Sequence, residues 1–123
     1  MSSVASSPDG RSVLTGSSDD TARLWETRSG QLLATYQGYT RWVSSVAFSP
    51  DGHLFATCDA NGRVFFWQTP APGQQEERLL GMYVASYPVL AVYWQDATTI
   101  VLADTGGPDD RSHIYYLKLH GME

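Results

Sequence analysis

A single cysteine, Cys58, stands among the 123 residues, so the sequence holds no pair to make a disulfide scaffold. A lone thiol in an apolar run is expected of an intracellular chain. Basic residues are also few: eight Lys and Arg face thirteen Asp and Glu, a net charge of −5. They are spread singly, whereas a duplex or an anionic membrane needs a concentrated positive patch to displace counterions. Neither nucleic acid nor a membrane is therefore expected as a partner. Long apolar runs are missing too. Leu79–Ala85 and Val89–Trp94 fall far short of the ~20 residues of a helical span. Met1 to Ser6 carry neither the basic nor the apolar segment of a signal peptide. The expected location is cytoplasmic, with the nucleus also compatible.

Catalytic and ligand motifs are equally sparse. There is no Gly-x-Ser-x-Gly and no phosphate-cradling glycine loop. His53, His113 and His120 share no metal-ligand spacing with one another or with Cys58. Asp19-Asp20 and Asp109-Asp110 lie outside any calcium-loop pattern. Cys58 reads as a small core residue, because its counterpart one repeat earlier is Gly16. No cofactor, metal or catalytic residue is expected, and the chain does not read as an enzyme.

What the sequence does have is a repeat with a shift of 42 residues. Val4-Ala5-Ser6-Ser7-Pro8-Asp9-Gly10 returns as Val46-Ala47-Phe48-Ser49-Pro50-Asp51-Gly52. Thr15 returns as Thr57, Trp25 as Trp67 and Thr27 as Thr69. Nine of 24 positions from Val4 to Thr27 are identical without a gap, and they are turn residues and aromatic anchors. A worn third copy follows in Val89–Trp94 and Ile114–Leu117.

Each unit reads as short strands divided by turn chemistry. In the second unit Val43–Phe48, Leu54–Cys58 and Arg63–Gln68 are strands. Ser49-Pro50-Asp51-Gly52 is a tight turn, and Asp59-Ala60-Asn61-Gly62 is a hairpin turn. Gln31–Tyr36 supplies a fourth strand in the first unit. No stretch holds a helical apolar period, so the class is all-β, in four-stranded antiparallel units.

These residues resemble the WD-repeat β-propeller family. The resemblance rests on Phe48-Ser49-Pro50-Asp51-Gly52, on Leu14-Thr15-Gly16-Ser17-Ser18-Asp19-Asp20-Thr21-Ala22-Arg23-Leu24-Trp25-Glu26, and on Gly38-Tyr39 ahead of Trp42-Val43. It covers residues 4–70 well and 78–119 weakly. It implies three blades: 1–42 with a truncated start, 43–84, and 85–123, a degenerate last blade without its outer strand. Three blades do not close a propeller, which needs at least about four. The pattern resembles the C-terminal end of a longer propeller. A truncated frame, a chain completed by a partner, and an arc that assembles with its own copies are the other readings.

The resemblance also implies a polar tetrad in each blade: a His before the first strand, a Ser or Thr on the second, an Asp in the next hairpin and a Trp on the third. The first unit offers Thr15 (or Ser17), Asp19 and Trp25. The second offers Thr57, Asn61 and Trp67, with Tyr39 where the His belongs. A phenol does not copy the two-ended bonding of an imidazole, so an incomplete network is expected there. In the third unit Leu117 replaces the Trp.

By the same resemblance, the loops before first strands and between second and third strands line one end of the propeller. They carry Tyr39, Arg41 and Trp42, with Ser18, Asp20, Ala60 and the stretch from Asp104 to Arg111 alongside. Aromatics and Arg are the types that anchor protein interfaces. The expected function is a non-catalytic scaffold for protein-protein interaction, within a larger propeller or complex, with protein partners or other copies. The alternative is a sensor segment of a larger signalling NTPase or kinase whose catalytic part lies elsewhere. The proline-containing loop Pro70–Glu77 is a second candidate surface.

Overall fold

A computed structural model describes residues 3–37, 39, 42–70, 78–85, 89–96, 98–104 and 114–119. The described residues form eleven strands and no helix. The first sheet holds β1 (Ser3–Ser6), β2 (Ser12–Gly16), β3 (Ala22–Glu26) and β4 (Leu32–Tyr36). The second holds β5 (Val43–Phe48), β6 (Leu54–Asp59), β7 (Arg63–Gln68) and β8 (Arg78–Val84). The third holds β9 (Val89–Trp94), β10 (Thr99–Asp104) and β11 (Ile114–Lys118). Every pairing is antiparallel between sequence neighbours, so each sheet is an up-and-down meander.

The repeated tetrapeptide makes the same turn twice. Ser7 Oγ donates to Asp9 Oδ1 at 2.6 Å, and the Ser12 N–H donates back to Ser7 Oγ at 3.0 Å. Ser49, Asp51 and Leu54 repeat both bonds at 2.7 and 3.1 Å. The turn closes on Gly10 and Gly52 at φ of 74° and 75°, a region closed to most side chains. Both serines are buried by this arrangement. The hydroxyl bonds hold the Asp9 and Asp51 carboxyls below their ordinary range, with backbone N–H groups adding to the effect.

The sheets lie side by side, with β1 against β5 and β5 against β9, so the first strands form the inner edge of an arc. Burial follows this order. All six residues of β6 are buried, since the second sheet is covered on both faces. By contrast, β10 alternates strictly between buried and half-buried positions, as a strand covered on one face should. Two apolar cores result. One joins Leu14, Leu24 and Tyr36 to Val43, Phe55 and Trp67. The other joins Ala56, Cys58 and Phe66 to Val92, Trp94 and Ile100.

Candidate functional site

Tyr39 lies just before β5 and is buried at 8% exposure. Its ring meets Phe65 edge-on at 4.9 Å, and its Oη is 2.6 Å from Thr57 Oγ1. The Trp67 Nε1–H donates to the same Thr57 oxygen at 3.1 Å. Tyr39, Thr57 and Trp67 thus share one buried network, in which the phenol takes part and the exposed Asn61 does not. One oxygen is enough to reach Thr57. Burial pushes the Tyr39 phenol far up from its ordinary value, so it remains protonated. In the first sheet the Trp25 Nε1–H donates to Thr15 Oγ1 at 3.0 Å in the same way.

The acids are distributed differently from the sequence reading. Asn61 is exposed on its turn, and the buried acid is Asp59, two residues earlier. Asp59 Oδ1 accepts the N–H groups of Asn61 at 3.0 Å and Arg63 at 3.1 Å, so it caps the β6–β7 hairpin from inside. Asp104 is buried at the equivalent end of β10: Asp59 lies opposite Val43 and Asp104 opposite Val89. Asp19, aligned with Asn61 by the repeat, is also exposed. It accepts the Thr21 hydroxyl at 2.6 Å and pairs with Arg23 at 3.0 Å. The Thr21 hydroxyl, with help from Arg23 and Ser17, holds its carboxyl down at about 2.

Three hydrogen bonds stitch one end of the arc together. The Val43 N–H donates to the Ser17 carbonyl at 3.1 Å, Ala60 N–H to the Trp42 carbonyl at 3.1 Å, and Ala85 N–H to the Gly62 carbonyl at 2.8 Å. The resulting rim runs through the β2–β3 turn, the lead into β5 and the β6–β7 turn. Trp42 stands on it with 49% of its surface exposed, beside a backbone that is held in place. Ser18, Asp19, Asp20 and Asn61 are exposed on the same end. Asp20 has a φ of 68° in the place where the second hairpin has Gly62.

Of the three expected surface anchors, Trp42 is therefore on the surface and Tyr39 is not. Arg41 lies outside the described residues, as do residues 105–111 and most of the Pro70–Glu77 loop. Cys58 is fully buried with Ser44 Oγ at 3.4 Å, and burial pushes its thiol up to about 11, far from a nucleophile's range.

Antiparallel sheets set side by side through their first strands, each with an indole donating to a threonine in the first two, define β-propeller blades. Two stretches of the chain, residues 1–26 and 30–68, match the family model described as WD domain, G-beta repeat. Together they span more than half of the sequence, and the chain belongs to that family, whose members are typically protein-interaction scaffolds.

Among curated proteins, it is 55% identical over 38 residues to human WD repeat-containing protein 86, covering 31% of this chain and 10% of that one. It is 39% identical over 61 residues to Pre-mRNA-processing factor 19 homolog 2 of Arabidopsis thaliana, covering 50% and 12%. The solved structures described as "Structure of U3-55K" and "Crystal structure of RRP9 WD40 repeats" each match with a TM-score of 0.75 at 21% identity. Each match covers 93% of this chain and 36% of the other. The chain thus spans about a tenth of the curated relatives and about a third of the structural neighbours.

Proposed function

We propose that the chain is a non-catalytic scaffold that binds a protein partner through the stitched rim, with Trp42 as its central anchor. The observation that carries this reading is the contrast across four residues. Tyr39 is locked into the core by Thr57, while Trp42 is left half exposed on a backbone fixed by Ala60. An apolar ring presented on a rigid support loses little entropy on binding, which is what interface hot spots require. The exposed Asp19, Asp20 and Asn61 give the rim a polar, acidic surround. A partner segment with an apolar side chain flanked by basic residues suits it.

The test compares wild type with Trp42→Ala in quantitative capture from the native cell extract. A partner held through this rim is lost on truncation, with binding weakened by about 1–3 kcal/mol, while the urea midpoint stays within error of wild type. Capture of the same proteins at the same level by a folded Trp42→Ala variant overturns the proposal.

A further inference from the structure

The β2–β3 and β6–β7 hairpins make the same turn with different residues. Ser17 Oγ accepts the Asp19 N–H at 3.3 Å, and Asp59 Oδ1 accepts the Asn61 N–H at 3.0 Å at the same two places of the repeat. The next residue of each turn has a left-handed backbone, Gly62 at a φ of 85° and Asp20 at 68°. Among the described residues, Asp20 alone reaches a positive φ without being glycine. Glycine enters that region at no steric cost, whereas a Cβ there crowds the backbone. Aspartate tolerates it better than most side chains, helped by local hydrogen bonds. The turn itself asks for nothing beyond glycine, as Gly62 shows.

No local bond supports the Asp20 side chain. The neighbouring Asp19 carboxylate accepts the Thr21 N–H at 3.2 Å and the Thr21 hydroxyl at 2.6 Å, and it pairs with Arg23 at 3.0 Å. Arg23, the cation nearest to Asp20 in sequence, is thereby engaged. Among the described residues, no hydrogen bond or ion pair reaches the exposed Asp20 carboxylate. The same turn is fixed to the rim, because its Ser17 carbonyl accepts the N–H of Val43, the residue after Trp42. Backbone held in a disfavoured region gathers at working sites, where another gain offsets its cost. Here a charge stands at such a position with nothing inside the described chain to use it.

We infer that Asp20 is the residue of the rim that recognises charge, pairing with a Lys or Arg side chain of the protein partner alongside the apolar contact of Trp42. The inference rests on the rim being the binding surface. It adds which acid makes the ionic contact, and why an aspartate stands where the twin turn has glycine. The partner's chemistry follows from complementarity. An unpaired carboxylate attracts a cation, and a guanidinium matches both of its oxygens. The other acids of the rim are occupied: Asp59 is buried under two backbone N–H groups, and Asp19 is held by Thr21 and Arg23.

The probe is the protein that wild type retains from the native cell extract and Trp42→Ala does not, purified. Calorimetric titration compares its binding to wild type, Asp20→Gly and Asp20→Asn at low and at high salt. Both variants are expected to bind about tenfold more weakly at low salt. The difference should shrink at high salt, where screening weakens the wild-type pair. Asp20→Gly is also expected to melt at or above the wild-type temperature, since the turn regains the residue it favours. Wild-type affinity in either variant at low salt overturns the inference and leaves the rim reading intact, because the probe was chosen by its loss on Trp42→Ala. Weak binding by an Asp20→Gly variant that melts well below wild type also overturns it, since Asp20 would then be holding the turn. If Trp42→Ala loses no protein, the rim reading fails and this inference falls with it.

Discussion

At Thr57 a single buried hydroxyl meets both the Trp67 indole at 3.1 Å and the Tyr39 phenol at 2.6 Å. Replacing it with valine keeps the shape and leaves two buried polar groups without that partner. Thr57→Val is expected to cost about 1–3 kcal/mol in urea melts, and Tyr39→Phe less, since the indole keeps its acceptor. Asp59 and Asp19 make a second comparison. Asp59→Ala removes the acceptor of two backbone N–H groups at a buried site and is expected to cost about 1–3 kcal/mol. Asp19→Ala removes an exposed pair, and the melt should show a clearly smaller loss. Equal losses would contradict the inside and outside placement of these acids.

Titration supplies a third check. The Cys58 thiol is pushed by burial from an ordinary 9 up to about 11, and the Tyr39 phenol is pushed up from 10.0 by the same cause. Groups whose proton is held more tightly in the folded state stabilise it fully below their ordinary value and lose that contribution as pH rises. The melting temperature should therefore fall from pH 9 upwards, and Cys58→Ala should flatten the part of that fall below pH 11. The hydrogen-bonding roles of Thr57 and Trp67 were legible in the sequence through the family resemblance, since both residues recur in register as Thr15 and Trp25. Asp59 was not, because burial of an acid depends on which N–H groups it caps, and the repeat aligns Asp59 with Ser17 rather than with another acid.

Among the elements, the strands announce themselves through their turns. Ser-Pro-Asp-Gly fixes the first hairpin of two sheets, and the strands on either side of each follow from it. What no local pattern reveals is which strand is covered on both faces. Leu54-Phe55-Ala56-Thr57-Cys58 lacks alternation because β6 lies in the middle sheet, a property of its neighbours. Gly16 on β2 reports the same packing. A Cβ there would lie 2.8 Å from Val43 Cγ1 and 2.9 Å from the Val43 carbonyl oxygen, so the first and second sheets approach too closely for a side chain. Gly16→Val is expected to cost about 1–3 kcal/mol by overpacking. Cys58, at the same place one repeat later, meets the Val89 carbonyl at 4.0 Å and has room for its sulfur. Cys58→Ala should therefore be much milder than Gly16→Val when the two are compared by thermal melts. A wild-type melt for Gly16→Val would show that the sheets are not in close contact there.

For the molecule as a whole, the repeat made the sheets and their order readable, while the surface was readable only by residue type. Tyr39, Arg41 and Trp42 are all interface-favoured residues, yet a neighbouring threonine draws Tyr39 into the core and leaves Trp42 outside. The proposed binding surface is one end of the arc, the rim through residues 17–20, Trp42 and residues 59–62. Hydrogen exchange on the chain with its captured partner tests that assignment most directly. Protection on binding should concentrate in the β2–β3 and β6–β7 turns and beside Trp42, with the Ser-Pro-Asp-Gly turns at the opposite strand ends unchanged. Protection confined to those turns or to the outer strands β4 and β8, with the rim exchanging as in the free chain, would contradict it.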